Sequence, residues 1–291
     1  MNPSFAIHAR LPWAVIPENL NDFLTIKSGS RPRRKPMYQQ TEDGGDMEED
    51  WSRAGQHNQA RLMIQSVGGS TAYIQIRGMI LKQSEFGEWI EGEATSLTLL
   101  DLALDMVAEA GYLNIILDFN SPGGSVLGLM ETASRIKALQ TRGINTIAYT
   151  SLMCASAAYY LASACNEIFA SPTAVVGSIG TYSVFIDFSA AAEMAGLKYE
   201  VFVARNAPYK AAGENGSLTD PQKEEMQRHV DEADAMFQAQ VKGSRRSLNL
   251  DAASTGAWWY ARSSPVGLVD NATLFHSLDD LLAVVAGASI S

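Results

Sequence analysis

The sequence predicts an α/β fold in which repeated βαβ units build a largely parallel sheet with flanking helices. Two observations support this prediction. Short apolar segments typical of buried strands alternate with longer segments whose apolar residues recur at helical spacing, from residue 71 to residue 205. Hydrophobic residues make up 46% and charged residues 19% of the 291 residues, a balance typical of a globular chain with a sizeable core.

The first predicted elements form two consecutive βαβ units. Segments 71–80 (TAYIQIRGMI), 113–119 (LNIILDF) and 144–150 (INTIAYT) are rich in β-branched and aliphatic residues, which predicts buried strands. Between them, segments 96–111 and 126–143 carry apolar residues at helical spacing and each ends at a glycine, which predicts helices. Crossover helices of this kind join parallel strands.

Strands and helices continue to alternate after residue 150. The predicted elements are a helix from about Ser156, strands over 166–171, 181–188 and 199–205, and a short helix before the last strand. A long helix over 219–246 follows. Thr219 or Asp220 is its predicted N-cap, and Pro221 suits its first turn.

The chain before this domain has a different composition. Residues 28–58 combine a basic, Pro-rich stretch with an acidic one and lack apolar periodicity, which predicts a disordered linker that a protease could cut. Residues 1–27 include Trp13 and Phe23 and are expected to form a docking element or a pro-segment. The folded domain is predicted over 59–291.

Charge and composition exclude several partner classes. The formal net charge of -10 disfavours binding to nucleic acid and to anionic lipid. The first residues lack the basic start and apolar run of a secretory signal, and no segment has eighteen consecutive apolar residues, so we expect a cytoplasmic protein without a transmembrane span. Cys154 and Cys165 lie among apolar residues and are expected to be small core residues rather than a disulfide.

Segment 118–126 (DFNSPGGSV) is the first candidate functional element. A predicted strand ends there, Pro122 is expected to fix a turn, and Gly123 and Gly124 leave backbone N–H groups open to a ligand. Donors of this kind suit a developing oxyanion. An ordinary β–α turn has the same local sequence, so the segment alone does not identify a site.

Ser156 is the candidate nucleophile. It follows a predicted strand and precedes the helical segment AAYYLASA, which places it at or beside a helix N-terminus, where the helix dipole favours negative charge on Oγ. A serine that only caps the helix would have the same local sequence.

A lysine is the candidate base. The histidines, which are His8, His57, His229 and His276, are expected to be surface or helix residues. A lysine can replace histidine when desolvation lowers its pKa, and serine–lysine pairs are a known arrangement. Lys210 follows a predicted buried strand and is the best candidate, although a solvated loop lysine would have the same sequence context.

The order of these motifs resembles the signal peptide peptidase A (protease IV) family of serine peptidases. The shared motifs are SPGG, a serine followed by small residues and Tyr159-Tyr160, then ASP (170–172), GSIG (177–180), a lysine 54 residues after the serine, and GLVD (267–270). The resemblance covers residues 70–285, and the ordered set is specific although no single motif is. It implies the ClpP/crotonase-like fold.

The resemblance also implies a role for each candidate residue. Ser156 would be the nucleophile, Lys210 the general base, and Ser178 in GSIG the residue that orients the lysine amine. The N–H groups of Gly124 and Ala157 would form the oxyanion hole, with Gly123 a less certain member. No cofactor and no metal ion is implied.

Two departures from the family pattern are visible. The family often has Gly-Gly after the serine, where this chain has Ala157-Ala158. Alanine keeps the backbone N–H, so we expect catalysis to survive with less room for substrate. The segment WWYARSSPV (258–266) replaces the family's usual helix before GLVD, which leaves the packing of the C-terminal region open.

Several functions stay open within and outside the family. The membrane-bound branch begins with an anchor that is not found here, so the chain is similar to the head-maturation proteases of tailed phages and prophages, which cut scaffold and capsid proteins inside a procapsid and often cut themselves. A soluble peptidase that clears signal-peptide remnants is the alternative. A non-catalytic assembly or scaffold protein and a crotonase-type acyl-CoA enzyme are alternatives from other classes. Family members form closed assemblies, which implies a homo-oligomer.

Overall fold

The computed structural model describes residues 13–15, 53–68, 70–82, 94–270, 275 and 277–285. Its strands are β1 (Trp13–Val15), β2 (Ile64–Ser66), β3 (Thr71–Leu81), β4 (Ala94–Ser96), β5 (Asn114–Ser125), β6 (Asn145–Ala155), β7 (Glu167–Ala170), β8 (Val175–Gly177) and β9 (Trp258–Tyr260). Its helices are α1 (Arg53–Met63), α2 (Leu97–Glu109), α3 (Leu129–Thr141), α4 (Ala157–Ala162), α5 (Ser189–Met194), α6 (Asp220–Ser244), α7 (Leu250–Ala253) and α8 (Leu278–Val285).

The strands form one sheet that is mostly parallel. Strand β3 pairs in parallel with β4 and β5, β5 with β6, and β6 with both β7 and β8. Strands β2 and β9 are antiparallel to β3 and β8, and β1 pairs with β5. The predicted α/β fold with a largely parallel sheet is confirmed.

The sheet is buried on both faces, which explains the continuous apolar runs of its central strands. Side chains of Ile115 and Leu117 on β5 lie in the main core with helices α2, α3 and α4, whereas Ile116 between them lies in a second cluster with α8. This alternation follows the two-residue period of a strand. Both faces of β5 therefore hold apolar side chains.

The chain divides into two compact units, one of residues 1–13 with 181–236 and one of residues 14–180 with 237–291. The second unit contains the sheet just described. The folded domain expected over 59–291 stays a prediction. Helix α1 crosses the predicted boundary, so residues 53–58 of the predicted linker are helical. The rest of that linker and nearly all of the predicted docking segment 1–27 lie outside the described residues.

Most of the predicted strands and helices are confirmed. The strands over 71–80, 113–119, 144–150 and 166–171 and the helices over 96–111, 126–143 and 219–246 all occur, with boundaries shifted by a few residues. Strands β5 and β6 continue beyond their predicted ends, to Ser125 and Ala155, because each keeps backbone pairing with its neighbours there.

The two strands predicted over 181–188 and 199–205 are wrong. Neither segment forms a strand, and all seven residues of 199–205 are exposed. Their aromatic and β-branched residues favour extended backbone, but a strand also needs a neighbouring strand to receive its hydrogen bonds.

Candidate active site

Ser156 lies at the turn between β6 and α4. Its backbone has φ 54° and ψ -120°, a region that residues with a side chain rarely adopt. The Ser156 N–H donates to the carbonyl oxygen of Gly177 at 2.8 Å, and its carbonyl oxygen accepts the N–H of Tyr160 at 2.9 Å. The side chain forms no capping hydrogen bond with α4. A helix cap therefore does not explain why this position holds a serine.

Gly177 is the residue that fixes this turn. Ala155, just before Ser156, pairs with Gly177 across β6 and β8. Gly177 has φ 101°, and a Cβ at this position would lie 2.9 Å from Cε3 of Trp259 on β9. Only glycine fits both the backbone angle and the approach of the indole ring.

Ser178 follows at the carboxyl end of β8. It also has a left-handed backbone, with φ 52°, and its N–H donates to the carbonyl oxygen of Ala257 at 2.8 Å. The residue is buried. Because β6 and β8 are parallel neighbours, their carboxyl ends place Ser156 and Ser178 side by side. The carboxyl ends of parallel strands are where α/β proteins bind ligands.

The SPGG segment belongs to β5 and is not a turn, which corrects the predicted role of Pro122. Gly123 and Gly124 pair with Met79 and Ile80 of β3, and that pairing extends the strand. A Cβ at Gly124 would overlap the Ile80 carbonyl oxygen, so the strands approach too closely for any other residue.

The Gly123 N–H already has an acceptor. Gly123 has φ 114°, and its N–H donates to Oγ of Ser121 at 3.1 Å, which occupies the donor. Ala157 is the first residue of α4 and is fully buried. The N–H groups of a first helical turn have no acceptor within the helix. The Ala157 N–H therefore has no acceptor within α4, whereas the Gly123 N–H is occupied by Ser121.

Ser156 and its neighbours in the chain are buried. Burial raises the pKa of the Cys154 thiol well above its usual value and raises that of the Cys165 thiol to about 12. Both cysteines are buried and free, as the sequence predicted. Burial also raises the pKa of the Tyr159 phenol. An unpaired charge is disfavoured in this environment, so charge that develops there needs hydrogen-bond donors.

Lys210 lies in the other compact unit, between α5 and α6. Its side chain is exposed, and its N–H donates to the carbonyl oxygen of Ala207 at 3.0 Å. Ala211, the next residue, has φ 60°, so the backbone turns sharply there. The buried strand expected before Lys210 is not formed. All other predicted site residues lie in the sheet unit.

The histidines follow the prediction where they are described. His229 is exposed on α6, with its Nε2 3.2 Å from a carboxylate oxygen of Glu225. His57 is a partly exposed residue of α1. Both are helix residues at the surface. His8 and His276 lie outside the described residues.

The sequence did not predict a buried polar network close to Ser156. The hydroxyl of Tyr159 donates to the carbonyl oxygen of Leu268 at 2.8 Å. Arg245, 6% exposed, donates from Nε to the carbonyl oxygen of Gly267 and forms an ion pair of 2.7 Å with Asp270. The tyrosine and the GLVD motif were visible in the sequence, but their contact was not.

Within the described ranges, no helix is long and apolar enough to cross a membrane. The same residues contain no group of His, Cys, Asp and Glu side chains that could hold a metal ion.

Comparison with known proteins places these features in a family. The Probable protease SohB of Haemophilus influenzae is 27% identical over 171 residues, which cover 58% of this chain and 47% of that protein. Protease 4 of Salmonella typhi is 32% identical over 117 residues, 40% of this chain and 18% of that protein. The Head-tail preconnector protein GP5 of Enterobacteria phage P21 is 27% identical over 136 residues, 46% of this chain and 26% of that protein.

The chain thus matches less than half the length of each of these relatives. The sequence model of peptidase family S49 matches residues 138–288, which are more than half of the chain. This match includes Ser156, Ser178 and Lys210. The chain belongs to peptidase family S49.

Proposed function

We propose that this chain is a serine endopeptidase in which Ser156 is the nucleophile and Lys210 the general base. The backbone of Ser156 carries the proposal. Glycine suits φ 54° and ψ -120° better than serine, and a strained backbone of this kind costs about 1–3 kcal/mol. The Ser156 hydroxyl does not cap α4. A chemical role of this hydroxyl therefore explains why a serine occupies a position that suits glycine.

The reaction follows from the proposed roles. The amine of Lys210 accepts the proton of Ser156 Oγ while Oγ attacks the carbonyl carbon of the scissile peptide. The N–H groups of Gly124 and Ala157 stabilise the resulting oxyanion. The ammonium of Lys210 then protonates the leaving amine, and an acyl-enzyme remains. Lys210 then takes a proton from a water molecule, the hydroxide attacks the ester carbonyl, and the Lys210 ammonium returns the proton to Oγ as the C–Oγ bond breaks. Ser178 orients the amine throughout.

The first unit carries a surface that suits a partner. The exposed large apolar side chains between residues 186 and 209 are Ile186, Met194, Leu197, Tyr199, Val201, Phe202, Val203 and Tyr209. Exposed apolar residues at this density are typical of an interaction surface. Met194 and Phe202, at 90% and 89% exposure, are the most exposed of them. We propose that a second copy of the chain covers this surface in a homo-oligomer.

The match to the phage P21 preconnector protein supports a role in head maturation. On this proposal the substrates are scaffold and capsid proteins, together with the chain's own N-terminal region, and the protein acts in the cytoplasm of a bacterial host or inside a procapsid. The matches to SohB and Protease 4 support a second candidate, a cytoplasmic peptidase that degrades signal-peptide remnants.

The proposal is tested with purified wild type beside Ser156→Ala. Each protein is incubated with an unfolded polypeptide, and the fragments are identified by mass spectrometry. New termini in the polypeptide, and within the chain's own residues 28–52, are expected with wild type alone. Equal fragments with both proteins would indicate a contaminating protease, and an uncut polypeptide would favour the non-catalytic scaffold alternative.

A further inference from the structure

We infer that Tyr159 is a positioning residue. Its hydrogen bond to Leu268 holds the turn at Ser156 between β6 and α4, called here the nucleophile turn, in its reactive geometry. The inference rests on the proposed role of Ser156 as nucleophile. Tyr159 is fully buried in the first turn of α4, three residues after Ser156. Its hydroxyl donates to the Leu268 carbonyl oxygen at 2.8 Å, a contact between residues 109 positions apart in the sequence.

Leu268 contacts both Tyr159 on α4 and Gly177 on β8, the two elements that flank the turn at Ser156. Its carbonyl oxygen receives the Tyr159 hydroxyl, and its side-chain Cδ2 lies 3.4 Å from the position that a Cβ would take on Gly177. Gly177 in turn accepts the Ser156 N–H. Leu268 therefore packs against β8, whose Gly177 accepts the Ser156 N–H, and also accepts a hydrogen bond from α4, the helix that follows Ser156.

Leu268 is itself held on both flanks. Before it, the Gly267 carbonyl oxygen accepts Nε of Arg245 at 3.1 Å. After it, Asp270 forms an ion pair with Arg245 and exchanges two hydrogen bonds with Ile168, through its carboxylate at 2.7 Å and its N–H at 2.8 Å. Arg245 is 6% exposed and the Asp270 side chain is 38% exposed, so the guanidinium end of this anchor is shielded from water and salt and the carboxylate end is partly solvated.

The nucleophile turn needs such an anchor. Helix α4 has six residues, too few to be stable by its own hydrogen bonds. A strained backbone persists only where its surroundings over-determine it. Without the Tyr159 hydroxyl, the first turn of α4 can shift, and with it the Oγ of Ser156 and the N–H of Ala157. A displacement of about 1 Å in a reacting group can cost about a hundredfold in rate.

Tyr160 offers a matched control. It is the neighbouring residue, is also buried, and packs edge to face on Phe237 with ring centroids 5.3 Å apart. Among the described residues, no hydrogen bond of its hydroxyl is found. Tyr159→Phe and Tyr160→Phe therefore remove the same atom from adjacent buried side chains, and only the first breaks a contact.

The experiment measures the rate per active site rather than per molecule. Active serines are counted with a fluorophosphonate, and kcat and KM are measured on a peptide substrate together with the melting temperature. We expect Tyr159→Phe to lower kcat per titrated serine by about tenfold or more while KM stays within about twofold. Tyr160→Phe should stay within about twofold of wild type in both constants.

The outcomes separate positioning from folding. If Tyr159→Phe has fewer titratable sites or a lower melting temperature but a wild-type kcat per site, the hydroxyl is only structural and the inference is wrong. If Tyr159→Phe does not fold, Arg245→Lys replaces it, because lysine keeps the charge beside Asp270 and loses the Nε donor to Gly267. Unchanged kcat per site in that variant overturns the inference. A wild type that is neither labelled nor active contradicts the proposed function itself.

Discussion

The backbone N–H of Ser156 donates to the carbonyl oxygen of Gly177 at 2.8 Å, and both residues have a positive φ, of 54° and 101°. This bond joins the carboxyl ends of two parallel strands. It holds a serine in a conformation that glycine would adopt with less strain. The backbone strain at Ser156 is the consequence of placing a serine hydroxyl at this edge of the sheet.

The strain at Ser156 predicts an order of stability among two inactive variants. Ser156→Gly relieves the backbone, whereas Ser156→Ala keeps a Cβ in the same unfavourable region. We expect the glycine variant to unfold at higher urea concentration, by a difference in unfolding free energy of about 1 kcal/mol, although glycine is more flexible in the unfolded chain. An alanine variant at least as stable as the glycine variant would show that the turn is not strained.

Gly177→Ala should be much more damaging than a matched glycine substitution. Gly143 also has a positive φ, of 80°, but a Cβ there would meet open space, whereas a Cβ at Gly177 would meet the Trp259 ring. Both variants share the backbone cost of about 1 kcal/mol. The overlap should add about 1–3 kcal/mol for Gly177→Ala and remove most of its activity. Equal loss of unfolding free energy in the two variants would contradict the packing described at β8 and β9.

The base is tested by chemical replacement of Lys210. Lys210→Arg and Lys210→Ala should both be inactive, because a guanidinium stays protonated and alanine has no amine. Lys210→Cys treated with 2-bromoethylamine regenerates an amine at the same distance and should recover activity. Cys154 and Cys165 are buried and should not be modified in the folded protein.

His229→Ala is the control for this series, because His229 is an exposed helix residue paired with Glu225. It should have nearly wild-type activity. Activity in Lys210→Arg, or no recovery after alkylation despite confirmed modification, would mean that another group activates the serine.

The buried thiols predict the dependence of stability on alkaline pH. The pKa of Cys165 is raised by burial from 9.0 to about 12, so the unfolded chain loses the thiol proton at lower pH than the folded chain. The stability associated with the neutral thiol is complete below about pH 9 and is progressively lost as the pH rises from 9 towards 12. Cys165→Ala should flatten this decline in unfolding free energy measured with urea. An unchanged slope would show that Cys165 is accessible to water.

The sequence predicted what depends on local pattern. The apolar run before residue 119 identifies the central strand β5, because a strand buried on both faces needs apolar side chains on both. The nucleophile turn was predictable because a strand and a segment of small residues flank Ser156. These features are set by residues close together in the chain.

Features that depend on distant partners were not predictable in the same way. Segment 199–205 has the composition of a strand but does not form one. The SPGG segment has the composition of a turn but continues β5, because Gly123 and Gly124 pair with Met79 and Ile80 of β3. The contact of Tyr159 with Leu268 spans 109 positions, and no local pattern reports it. The boundary between the compact units is likewise a matter of tertiary contacts.

The central claim, that Ser156 is an activated nucleophile, is tested most directly by mapping where a fluorophosphonate binds. Wild type and Ser156→Ala are treated with the reagent, digested and analysed by peptide mass spectrometry. We expect one adduct per chain, on the peptide that contains Ser156, and none on the alanine variant, with Ser178 unmodified in both. An unlabelled wild type, or a label on a different serine, would show that Ser156 is not the activated nucleophile.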